Sequence, residues 1–206
     1  LRGFQAYALM LEQHPELLGK VRFLAFLVPS RQTLAKYKRY TSEVKKLIEE
    51  INLRYGTDEW TPIQAFYEND RVQALAAMQF YDALLVNSIM DGMNLVAKEG
   101  PVVNKRGGVL VLSRTAGAFQ QLGKFSLPIT STDVGDTAEA LYLALTMPRF
   151  ERHALSVQAR HTVEIQDLHV WLQHQINDIN ELLDRLPARI VPQKTMYSMA
   201  AAGAAG

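Results

Sequence analysis

Ala83-Leu-Leu-Val-Asn87 runs directly into Ser88-Ile-Met-Asp91-Gly92-Met-Asn-Leu-Val-Ala-Lys-Glu99, an apolar run set against a helical pattern with an Asp-Gly pair at the joint. A short continuous apolar run bounded by turn residues fits a strand buried on both faces, and such strands belong to parallel sheets connected by helices. The same alternation continues on either side. Val21 to Val28 is a strand stopped by Pro29, and Leu34 to Tyr55 is a long charged helix ended at Gly56. Ile63 to Tyr67 is the next strand, followed by a helix capped at Asn69-Asp70. After Ala83 to Asn87 come a helix over Gly92 to Val103, a strand over Val109 to Leu112, a short helix over Thr115 to Leu122 and a short edge strand over Phe125 to Ile129.

Outside this alternation the chain is helical. Leu1 to Leu18 carries Phe4, Ala8, Leu11 and Leu18 near helical spacing. Beyond Asp136 the strand signals stop, and Thr137 to Thr146, Arg149 to His161 and Val163 to Leu186 read as helices. The expected architecture is an α/β fold, a doubly wound and mostly parallel sheet with a helical C-terminal extension. It divides into a Rossmann-like domain over 1–146, incomplete at its start, C-terminal helices over 147–187, and a flexible tail over 188–206 whose Ser198 to Gly206 end is a run of small residues.

With 48% hydrophobic residues in 206, the chain can bury a sizeable core. A net charge of +1 gives no broad field for nucleic acid or a membrane surface, so an anionic ligand must be met locally. The apolar runs are too short to span a bilayer. The absence of cysteine excludes disulfides and thiolate metal sites and fits a cytoplasmic location. His14, His153, His161, His169 and His174 show no metal-ligand spacing, so no metal is expected.

Doubly wound sheets bind ligands beyond the carboxyl ends of their strands, which singles out the segment after Asn87. There Asp91 stands at a helix entrance, and the amides of Met93 to Val96 face the strand ends. The first N–H groups of a helix lack intrahelical partners and lie at the positive end of its dipole, so a diphosphate fits without a basic side chain. Gly92 lets the backbone approach a ligand, and the carboxylate of Glu99 is placed to accept hydrogen bonds from vicinal sugar hydroxyls. Spacing alone favours a plain Asp-Gly helix cap with Lys98 and Glu99 as solvated charges.

The string from Asp91 to Glu99 resembles the donor-binding signature of the trehalose-6-phosphate synthase family of retaining glycosyltransferases. The resemblance continues, in order and similar spacing, through Leu1 to Tyr7 with Pro15, Val28-Pro-Ser-Arg31, Ile51 to Gly56 with Trp60-Thr-Pro62, Asp70-Arg71, and Gly108 to Ser113 with Ala116-Gly-Ala118. It runs from Leu1 to about Trp171. It implies a two-domain enzyme of paired Rossmann-like halves, this chain resembling the C-terminal, donor-binding half. It also implies that UDP-glucose or GDP-glucose is the donor and a sugar phosphate such as glucose 6-phosphate the acceptor, with no cofactor. By the same resemblance Asp91, with the amides of Met93 and Asn94, holds glucose hydroxyls, the amides of Leu95 and Val96 hold the diphosphate, Glu99 holds the ribose, and Arg31 meets the acceptor phosphate.

Two departures stand out. Asn69 occupies a place near the base where some family members have an aromatic residue, and Gly100 to Asn104 differs from the simplest family pattern and points to a subgroup with another phosphorylated acceptor. The family's Arg-x-Asp-x-x-Lys-Gly stretch, upstream of the match to Leu1, lies outside this sequence, so no catalytic residue is assigned within it and the isolated chain is expected to be inactive. A non-catalytic nucleotide-sugar-binding or regulatory domain is the competing reading. A dinucleotide oxidoreductase is disfavoured because no Gly-x-Gly-x-x-Gly follows a strand. Lys36 to Tyr40 with Lys45-Lys46 reads as a solvated helix face, Ser113 as a strand exit and helix cap, and Trp171, Leu172, Ile176 and Leu183 as an apolar stripe that favours self-association when uncovered.

Overall fold

The computed structural model of the chain describes residues 1–28 and 34–185. It contains two compact units, Leu1–Ile165 and the segment from Gln166 onward. In the first unit β1 (Phe23–Phe26) pairs in parallel with β2 (Ile63–Phe66), Phe23 opposite Ile63. β3 (Ala83–Val86), β4 (Val109–Ser113) and β5 (Ser126–Ile129) form a second parallel set in that order. The strands are α/β crossover strands as expected, but the ladder is interrupted between the two sets.

β4 shows why the fold is doubly wound. All five of its residues are buried, and successive side chains on a strand point to opposite faces. Val109 and Val111 enter a core built from α1 (Arg2–Gln13), α2 (Ala35–Tyr55) and α6 (Val134–Thr146), together with Ala25, Ile63 and Ile129. Leu110 and Leu112 enter the opposite core, built from Val86, Ala97 of α4 (Leu95–Val103), Leu122 of α5 (Phe119–Leu122) and Ala159 of α7 (Arg149–Ile165). Burying apolar area on both faces contributes about 25 cal/mol per Å², which explains the near-continuous hydrophobic composition of β4. On the first face Tyr7 of α1 donates to the carbonyls of Val21 and Pro62, both at 3.1 Å, and so ties α1 to the starts of β1 and β2. Burial pushes its phenol well above the ordinary range, so it remains a donor.

Several boundaries differ from the sequence expectation. The first helix stops at Gln13 because Pro15 starts a separate 3-10 turn over Pro15–Leu17. α4 begins at Leu95, three residues after Gly92, and only Phe119–Leu122 of the expected Thr115 helix is helical. α7 runs on to Ile165 rather than breaking near His161, and it packs on α4 within the first unit. α3 (Arg71–Met78) starts where expected, Asp70 accepting the amide of Gln73 at 2.9 Å. The Lys36 to Lys46 face of α2 is solvated, with Arg39–Glu43 and Lys46–Glu50 as i,i+4 pairs. In the second unit α8 (Leu168–Arg185) begins after Asp167, whose carboxylate accepts the amide of Val170 at 3.0 Å. No helix among the described residues is long and apolar enough to cross a membrane. Pro29 to Gln32 with Thr33, and everything from Leu186, including the 188–206 segment, lie outside the described residues.

Candidate functional site

Beyond β3 the chain forms a loop organised by two side chains. The Asp91 carboxylate accepts the amide of Met93 at 3.2 Å through Oδ1 and the side-chain amide of Asn94 at 2.8 Å through Oδ2. Asn94 in turn accepts the amide of Ala97 at 2.9 Å and caps α4. Its φ of 75° makes it the one non-glycine residue with positive φ among the described residues. Asparagine tolerates that left-handed region better than most L residues, and the turn it makes delays the helix to Leu95. The amide of Met93 is therefore engaged by Asp91, whereas those of Leu95 and Val96 find no acceptor among the described residues and stand at the exposed helix start. Gly92 faces open space.

A second loop, after β4, holds the first in place. Asp91 and Ala116 form a parallel bridge, the amide of Gly117 donates to the Asp91 carbonyl at 2.9 Å, and the amide of Ala118 donates to the Met93 carbonyl at 2.7 Å. A Cβ on Gly117 would lie 2.1 Å from the Gly92 carbonyl oxygen, so only glycine permits this approach. Thr115 donates to the Ser88 carbonyl at 3.2 Å, and the buried Ser113 hydroxyl shares a 2.8 Å hydrogen bond with that of Thr115. Ser113 is thus a strand-exit residue that organises a turn rather than a helix cap. These amides serve the neighbouring loop, which is why Thr115 to Ala118 is not helical.

Glu99 sits on α4 and is paired with Arg71, the first residue of α3, at 3.1 Å between Oε1 and Nη2. A cavity of about 320 Å³ opens beside the pair, floored by Leu75, Val102, Val103 and Val163, with Arg71, Lys98 and Glu99 at its rim. It does not reach Asp91. Farther along, Arg160 of α7 donates to the carbonyls of Pro101 and Asn104, satisfying the end of α4 where Pro101 interrupts the helical ladder. The structure therefore brings Asp91 to Val96 into one loop and helix start and places Glu99 one turn on; Arg31 lies outside the described residues. No group of three or more His, Asp or Glu among the described residues could hold a metal ion.

The sequence pattern of Glycosyltransferase family 20 matches residues 1–181. The chain belongs to this family. It is 35% identical over 181 residues to the UDP-forming alpha,alpha-trehalose-phosphate synthase of Schizosaccharomyces pombe, covering 87% of this chain and 35% of that protein. Among solved structures it resembles a UDP-forming synthase from Burkholderia xenovorans in complex with glucose-6-phosphate, at 32% identity and a TM-score of 0.81, covering 86% of this chain and 39% of that one. It also resembles the E. coli trehalose-6-phosphate structure bound with UDP-2-fluoro glucose, at 31% identity and a TM-score of 0.82 over 90% of this chain and 41% of that one. The chain thus spans well under half the length of these relatives.

Two features of this family 20 chain escaped the sequence reading. The Gly117 clamp was visible only as part of the Ala116-Gly-Ala118 match, since its purpose depends on β3 and β4 being neighbours. Arg71 was noted beside Asp70 without a role, since its partner Glu99 is 28 residues away.

Proposed function

We propose that this chain is the donor-binding part of a retaining glucosyltransferase that takes UDP-glucose and, in the whole protein, transfers glucose to a sugar phosphate of the glucose 6-phosphate type. The observation that carries the reading is the pair of amides at Leu95 and Val96, without a partner among the described residues and flanked by Asp91 on one side and Glu99 on the other. In this reading the two amides and the helix dipole hold the diphosphate and stabilise it as it departs. Asp91 and the amides around Met93 and Asn94 receive the glucose hydroxyls. Accepting them requires Asp91 to share or exchange its bond to Met93, a short rearrangement within a loop already pinned by Gly117. Glu99 receives the ribose hydroxyls, and Arg31 is assigned to the acceptor phosphate, where its guanidinium suits a bidentate contact.

The choice of UDP over GDP rests on the relatives, which are UDP-forming or carry a UDP sugar. The choice of acceptor rests on the Burkholderia xenovorans complex with glucose-6-phosphate. Glucose leaves with retained configuration when the acceptor attacks on the face from which the diphosphate departs, which needs no covalent nucleophile from this chain. The test is calorimetric titration of the wild-type chain and Glu99→Ala with UDP, GDP and UDP-glucose. UDP and UDP-glucose bind the wild type, GDP binds more weakly, and Glu99→Ala loses about tenfold or more in UDP affinity, the scale of a hydrogen bond to a charged group. Equal affinity of both proteins for every nucleotide removes Glu99 from the ribose role.

A further inference from the structure

Glu99 has a geometric problem that the ribose role sharpens. Its side chain is about one-third exposed on the surface of α4, and such a carboxylate samples several rotamers unless something holds it. Arg71 does hold it, by one bond to Oε1, while Oε2 meets no partner among the described residues. The pair joins the first residue of α3 to the second turn of α4, and the Asp70 cap on the Gln73 amide fixes the backbone from which Arg71 extends. An ion pair this exposed, with Arg71 at 77%, contributes little to folding. What it does supply is orientation. With one oxygen turned to the guanidinium, the other is left to accept a hydroxyl.

Resting on the donor-site reading above, we infer that Arg71 is a positioning residue for nucleoside recognition. It holds Glu99 in the rotamer that accepts the ribose diol, and it touches neither the base nor the phosphates. Ribose is distinguished from deoxyribose at this site through Arg71 as well as Glu99.

The experiment is calorimetry on the 206-residue chain with UDP, 2′-deoxy-UDP and uridine, using Arg71→Ala, Arg71→Lys, Glu99→Ala and the double variant. Arg71→Ala weakens UDP by about threefold to fivefold, the reach of one exposed ion pair. It also narrows the preference for UDP over 2′-deoxy-UDP, whereas Arg71→Lys retains part of that preference. The double variant binds no more weakly than Glu99→Ala, because Arg71 has nothing left to position. The proposal is overturned if Arg71→Ala binds UDP as tightly as the wild type or more tightly, since the arginine is then idle or a competitor for Glu99. It is equally overturned if the Arg71→Ala loss persists in the Glu99→Ala background, or disappears with uridine, since Arg71 then contacts the nucleotide itself. If Glu99→Ala leaves UDP unaffected, the ribose role of Glu99 falls and this proposal falls with it. If UDP fails to bind the wild type, the donor-site reading is at fault.

Discussion

Helices α3 and α4 both begin just after a parallel strand, and a side chain caps each. At α3 the cap is Asp70, a carboxylate bound to the amide of Gln73. α6 follows the same plan, with Asp133 accepting the amide of Asp136 at 3.0 Å. At α4 the cap is Asn94, which satisfies the amide of Ala97 without bringing negative charge, and the nearest carboxylate, Asp91, is turned to Met93 and to the Asn94 side chain. A protein carboxylate at an N-terminus is favourable because it answers the helix dipole, and for that reason it fills the place an external anion would take. All three caps engage only the third helical amide, so the contrast at α4 is one of charge: the neutral Asn94 leaves room for an external anion where Asp70 and Asp133 already supply a carboxylate.

The strongest way to break this contrast is to push the α4 loop away from its clamp. Gly117→Ala places a methyl group 2.1 Å from the Gly92 carbonyl oxygen. The expected cost is about 1–3 kcal/mol of stability and a melting temperature several degrees lower, with UDP affinity falling by more than about tenfold. A thermal melt and a calorimetric titration check both, and unchanged values for the two would show that the clamp does not set the loop. Next in size is Asn94→Asp, which gives α4 the cap of α3. It retains a side-chain acceptor for the Ala97 amide and loses the donor to Asp91, so stability falls by about 1 kcal/mol. UDP affinity falls further than uridine affinity, because the added charge opposes the phosphates. Equal losses for the two ligands would count against a phosphate at this helix. The smallest effect belongs to the reciprocal change, Asp70→Asn. Both residues cap well, so stability shifts by less than about 0.5 kcal/mol and UDP binding by less than about twofold, as the same two assays measure.

What could be read from the sequence follows the same division between local and non-local causes. The buried strand β4, the alternation of strands and helices, and the Asp70 cap depend on residues close in the chain, and they emerged near their expected bounds. The α4 start did not, because a left-handed Asn94 has no periodic signature and the string Asp91-Gly-Met-Asn94 reads equally as a first helical turn. The Thr115 segment looked helical by composition, yet the amides of Gly117 and Ala118 find better acceptors in a loop brought alongside by the sheet. The ladder break between β2-β1 and β3-β4-β5 and the Arg71–Glu99 pair are likewise products of tertiary placement. Order and spacing located the candidate site; which of its groups are engaged and which are open depended on contacts across the fold.

The most direct test of the open helix start is an amide-resolved NMR titration of the chain with UDP. Saturable shifts are expected at the amides of Leu95 and Val96, accompanied by Glu99, while the corresponding first amides of α6, at Val134 and Gly135 behind the Asp133 cap, stay in place. Saturable binding that leaves Leu95 and Val96 unmoved, or that moves the α6 start instead, would contradict a phosphate at the start of α4.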